Sequence, residues 1–183
     1  MDITDHLEHA FAVTSSIVHG ITPEMLDRPT PCDEWNVARL VAHTIGALDS
    51  FAAREPDPTA VATLNHDIAE QFDISAAAAL AAWRSPGALD GMHARPGRPA
   101  LPWAVFARIN LVDTYGHAWD IAQATGRADK IDNALAAICL DIAHQVVIDD
   151  ARPIVGFGPA REVRPDAPAG NRFAAFLGRR VPA

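Results

Sequence analysis

Apolar residues recur at intervals of three and four through most of the chain, the spacing that lays one dry stripe along a helix. Near the start Ile3, Leu7, Phe11, Val18 and Ile21 follow it and predict a helix over about Thr4 to Gly20. The next stretch, TPEMLDRPTPCDEWN, holds three prolines between Thr22 and Asn36 and reads as a loop, with Asn36 placed to cap a second helix. VARLVAHTIGALDSFAA gives that helix, which stops before REPDP, and a third is expected over Ala60 to Trp83, broken by SPG. Ser85 to Pro102 mixes proline, glycine and arginine too closely for a regular element and predicts an irregular crossover with one short extended piece. A fourth helix is expected from Trp103 to Thr125, with Gly126 as its C-terminal stop. DNALAAICLDIAHQVVI makes a fifth, capped by Asp132, and a loop-like tail ends in a short helix over about Asn171 to Gly178.

Four long helices joined by one long crossover predict an all-α protein: a four-helix bundle with extra C-terminal helical elements packed on its side. The 183 residues suit a single domain, with the core bundle over about 4–125 and a packing helix and tail over 126–183. Composition agrees. Aromatics are only 7% and alanine is plentiful, which favours closely packed helices over a sheet of β-branched residues.

The net charge of -8, from 15 basic and 23 acidic residues, sets the surface against nucleic acid and anionic lipid. No window reaches the apolar length of a membrane span, and MDITDHLEHAF lacks the basic flank and apolar run of a secretion signal. Cys32 and Cys139 form neither a disulfide framework nor a zinc knuckle, so a cytoplasmic protein with reduced thiols is expected.

The fourth helix breaks the pattern. LVDTYGHAWDIAQATGR is apolar nearly all round, flanked by Leu111, Val112, Trp119 and Ile121, and should be buried. Yet Asp113 and His117, four apart, stack on one face, and Asp120 falls on the same stripe. A buried carboxylate protonates, finds a partner or binds a metal. Asp113 and His117 offer an oxygen and an imidazole at a separation that suits one ion, and His43, at the border of the second helix's apolar face, is the candidate third donor. A core histidine bonded to a backbone carbonyl is the competing reading for His43. Asp120 is expected either to orient a ligand histidine or bound water by accepting a hydrogen bond, or to make a helix contact.

The remaining candidates read more plainly. His6, His9, His19, His66, His93 and His144 lie on polar segments or near element ends and are expected to be solvated. Cys32 has no basic neighbour in sequence and reads as a packed loop thiol, and Trp35 as a staple anchoring the second helix. Trp119, Phe106 and Asn110 are candidates for a substrate pocket, and Arg95 and Arg98, on the crossover, for an anion contact or a solvated loop. No phosphate-cradling loop, serine–histidine triad signature or dinucleotide fingerprint is present.

LDRPTPCDEWNVARLVAHTIGAL and DTYGHAWDIAQATGR resemble the two signature segments of a bacterial metal-binding family, the relatives of the metal-binding domain of mycothiol-dependent maleylpyruvate isomerase within the DinB-like superfamily. The segments share Pro31-Cys32 with Trp35, a histidine in the helix behind them, and an acid-xxx-His-xx-Asp run; FGPAREVRPDAPAGNRFAAFLGRR resembles the family's ending. The resemblance implies a divalent metal, zinc first with nickel or another divalent ion as alternatives, on His43, Asp113 and His117, with water or substrate completing the site. Three protein donors beside an open position is the arrangement of a catalytic rather than a structural zinc. The isomerase carries glutamate where this chain has Asp113, and an additional C-terminal domain where this chain has a short tail. The expected activity is a thiol-dependent transferase or isomerase acting on a small electrophile, with mycothiol or a similar low-molecular-weight thiol as co-substrate. A non-catalytic metal-containing module that binds or senses a small molecule stands as the alternative, a metal-free protein with internally bonded polar groups as a third reading, and a homodimer is left open.

Overall fold

The computed structural model describes residues 2–32, 35–94, 99–149, 152 and 157–182. Four helices make the core: α1 (Ile3–Val18), α2 (Val37–Ala52), α3 (Ile68–Arg84) and α4 (Trp103–Thr125). Around the bundle α1 packs against α3 and α4, and α2 against α3 and α4. A fifth helix, α5 (Asn133–Val146), lies on α4, and a sixth, α6 (Ala169–Phe176), on α5. The chain is all-α, as its apolar spacing predicts. Sheet among the described residues is confined to one antiparallel pair, β1 (Met92–His93) with β2 (Leu101–Pro102).

Local chemistry sets most of the ends. Asp2 forms a capping box with Asp5, Asn36 accepts from the Arg39 amide, and Asp132 accepts from Ala134 and Leu135. Gly126 closes α4 at φ 75°, in the left-handed region where glycine has no Cβ penalty.

Several boundaries differ from the sequence reading. α1 runs from Ile3 to Val18 rather than from Thr4 to Gly20, and α6 starts and ends two residues before the expected span. The largest difference is the third helix, expected from Ala60 and observed from Ile68. Residues 60–62 are held against α2 instead, where the Ala62 amide donates to the Ala42 carbonyl over 2.9 Å. Asp67 then caps the shortened helix by accepting from Glu70. The crossover contains two paired strands rather than one extended piece.

Among the described residues no helix is long and apolar enough to cross a membrane. α4 is buried continuously from Thr114 to Ala122, and α2 from Leu40 to Leu48. α4 carries the polar stripe, so the centre of the bundle is where the chemistry sits.

Candidate metal centre

Two helices and one loop build the centre. α4 supplies Asp113 and His117, one helical turn apart, and α2 supplies His43 across the α2–α4 contact. Donor atoms of these three residues all lie within 4.8 Å of one another. The loop ahead of α2 is pinned by backbone bonds from Val37 to Arg28 and from Thr30 to Trp35. It thereby lays the Trp35 ring against both histidines, 4.9 Å from His43 and 6.3 Å from His117 between centroids.

The protonation of each histidine is set by what it touches. His43 Nδ1 lies 3.0 Å from the Ala60 carbonyl, which can only accept, so Nδ1 carries the hydrogen and Nε2 keeps its lone pair. This is the contact that the displaced start of α3 provides. Burial pushes the His43 pKa below its ordinary value, more than the Asp113 charge restores, which keeps the ring neutral and able to donate electrons to a cation.

His117 stands between two carboxylates: Nε2 is 3.4 Å from Asp113 and Nδ1 is 3.3 Å from Asp120. Burial opposes its protonation, but Asp113 and Asp120 outweigh burial and raise its pKa to about 9. Asp113 is half-buried, and its desolvation favours the neutral acid, yet the His117 charge holds its carboxyl below the usual range. Without a metal, the cluster is an imidazolium bracketed by carboxylates.

Asp120 completes the arrangement from behind. It is fully buried and takes a forked ion pair from Arg179, with Nε 3.1 Å from Oδ1 and Nη2 2.9 Å from Oδ2. Arg179 also donates to the Leu177 carbonyl. A chain of contacts therefore runs from the C-terminal tail through Asp120 to the imidazole of His117. Two imidazoles and a carboxylate suit zinc and neighbouring divalent ions, and both rings have their second nitrogen engaged by an oxygen, the usual support for a ligating histidine.

The other candidates are placed differently. Phe106 lines a cavity that reaches Asp113. Asn110 is fully buried and occupied, accepting from Trp83 Nε1 and donating to Thr114. Trp119 is buried and donates to Asn171 of α6. His6 and His93 are half-buried rather than solvated, and His93 packs 4.5 Å from Trp103 and 5.4 Å from Phe106. Arg95 and Arg98 lie outside the described residues.

Two sequence readings need correction. Trp35 does more than anchor a helix, because its ring walls one side of the histidine pair. Cys32 is not remote from positive charge: Arg179, distant in sequence, interacts with it electrostatically, and a Cys32 donor atom lies within 4.8 Å of His117 and Asp120. Arg179 itself went unread in the sequence. The signal was present, since His117 stands between two carboxylates, Asp113 and Asp120, and one imidazolium leaves the pair calling for a further cation.

A profile of the mycothiol maleylpyruvate isomerase N-terminal domain matches residues 7–122, a span from α1 to the last turn of α4 that includes all three candidate donors. The chain belongs to this family. Two uncharacterized proteins of Mycobacterium tuberculosis, one from strain CDC 1551 / Oshkosh and one from strain ATCC 25618 / H37Rv, are each 28% identical over 175 residues, covering 95% of this chain and 94% of theirs. No solved structure matches this chain. Membership accords with the all-α bundle and with the DinB-like resemblance of its two signature segments, and it places the candidate donors within the family's shared domain.

Proposed function

We propose that this member of the family is a divalent-metal protein that uses a low-molecular-weight thiol, mycothiol or a close equivalent, to transfer to or isomerise a small electrophilic molecule in the cytoplasm. The observation that carries the reading is the convergence of His43, Asp113 and His117, from two separate helices, within 4.8 Å. Zinc is the first candidate ion. A bound divalent ion supplies Lewis acidity, which lowers the pKa of a thiol or water and favours its anionic, nucleophilic form at neutral pH.

The chain's own residues do the rest. The Ala60 carbonyl fixes His43 as the tautomer with a lone pair on Nε2, and Asp120 holds the Nδ1 hydrogen of His117. Arg179 holds Asp120 in place through a forked ion pair. Asp113 contributes the charge that balances a cation among buried neutral groups, and Trp35 restricts water on the loop side of the histidines.

The test is turnover. Zinc-loaded protein is incubated with a thiol and a panel of small electrophiles, and thioether or isomerised product is followed by mass spectrometry. Product formed by the wild type and abolished in Asp113→Asn supports the proposal. Thiol or electrophile binding with no turnover across the panel would replace it with a non-catalytic binding module.

A further inference from the structure

Beyond α6 the tail folds back on the segment that precedes the helix. Gly178, at φ 92°, approaches Gly158 so closely that a Cβ on Gly178 would meet the Gly158 Cα at 2.7 Å. Backbone bonds to α6 lock the same crossing. The Arg161 amide donates to the Ala175 carbonyl over 2.9 Å, and the Arg179 amide to the Ala174 carbonyl over 3.0 Å. Arg161 is thereby set beside Arg179 and Arg180, and all three line one surface depression.

The depression holds about 500 Å³, and Ala160, Glu162 and Val181 complete its lining. Three guanidinium groups against one carboxylate make a local excess of positive charge, on a chain whose net charge is -8. The arginines contribute in different ways. Arg179 is buried, and Asp120 and the Leu177 carbonyl hold its guanidinium, so it adds charge from below rather than bonds. Arg161 and Arg180 are exposed. Arg161 donates from Nε to the Gly178 carbonyl over 2.6 Å, which orients its guanidinium while both Nη groups stay outside that bond. The arginine ion pairs of the described residues run through Arg84, Arg152, Arg164 and Arg179, not through Arg161 or Arg180.

We infer that this depression binds a small oxyanion, a phosphate or carboxylate group, held by Arg161 and Arg180 with the charge of Arg179 beneath. The planar guanidinium fork matches both groups, since its paired N–H donors meet paired oxygens. Neighbouring guanidinium groups repel one another, and an anion seated among them relieves that repulsion. Glu162 opposes the anion, but one carboxylate does not cancel three cations. A concave wall of one dominant sign also concentrates counter-ions from solution. None of His43, Asp113 and His117 lines the depression, so the inference goes beyond the proposed function and needs no metal.

The experiment titrates full-length, chelator-treated protein with inorganic phosphate or with acetate, against sodium chloride at matched ionic strength. Backbone amide signals are followed by NMR. Phosphate or acetate should shift the signals of residues 160–162 and 179–181 saturably and beyond the chloride reference, and the tighter of the two names the oxyanion. Arg180→Gln should weaken binding by about tenfold, and Arg161→Gln with Arg180→Gln should abolish it. Arg164→Gln, which removes an exposed arginine already paired with Asp166, should leave binding unchanged. Should loss of the Arg161 bond to Gly178 unfold the tail, Arg180→Gln decides alone. Shifts that follow ionic strength only, or binding that survives Arg180→Gln at full affinity, would overturn the inference.

Discussion

Asp120 ties the histidine cluster to the C-terminal tail, and its removal has an asymmetric consequence. Asp120→Ala leaves the Arg179 guanidinium, only 6% exposed, buried without its counter-charge. Breaking one partner of such a pair costs about 3–5 kcal/mol, to be read as a shift in the urea unfolding midpoint. Adding Arg179→Met to that variant should recover part of the loss, since the orphaned charge is then gone; no recovery would mean the pair is not what stabilises the tail. His117 adds a pH dependence in the metal-free protein. Its pKa rises from 6.5 to about 9 on folding, so the stability it contributes is complete below pH 6.5 and lost as pH climbs through about 9. Unfolding midpoints of chelator-treated protein should fall across that window, and His117→Ala should flatten this part of the profile. At this scale the sequence was half legible. Asp113 and His117 lie four apart on one helix, so periodicity alone pairs them. Arg179 meets Asp120 across 59 residues of chain, and no local spacing encodes that meeting.

Among the elements, the segment before α3 matters more to the centre than its lack of regular structure suggests. Gly46 on α2 lets it approach: a Cβ there would meet the backbone of Ala60 at 2.8 Å and of Ala62 at 2.9 Å. The same approach puts the Ala60 carbonyl on His43. Gly46→Ala should therefore force the segment outward, destabilise the fold by about 1–3 kcal/mol and weaken metal binding by freeing the His43 ring. Thermal melting and zinc titration of the variant check both effects; an unchanged zinc affinity would show that the carbonyl does not position the histidine. The sequence reading extends the third helix through this segment, from Ala60 to Trp83. The hydrogen bond that wins, Ala62 to Ala42, is tertiary, and it overrides propensity. Ends defined by side-chain caps, Asn36 and Asp132, were readable because the capping chemistry is local.

Across the whole molecule, the tail is part of the site although it supplies none of the proposed donors. Leu177 is fully buried and Gly178, at φ 92°, turns the chain so that Arg179 re-enters the interior. Deleting residues 177–183 should lower the melting temperature and weaken zinc binding by about 10- to 100-fold, the usual effect of losing the group that orients a ligand. Full retention of both would detach the tail from the centre. The all-α architecture was legible from apolar spacing and composition, whereas the placement of the tail over α4 was not, because it depends on which buried polar group lacks a partner.

The central claim is that three side chains from two helices share one divalent ion. Zinc content is best measured by equilibrium dialysis of chelator-treated protein against zinc, with elemental analysis of the dialysed protein. The account expects about one ion per chain in the wild type and its loss in His43→Ala and His117→Ala. A wild type that takes up no stoichiometric ion, or a His43→Ala variant that keeps it, would contradict the account.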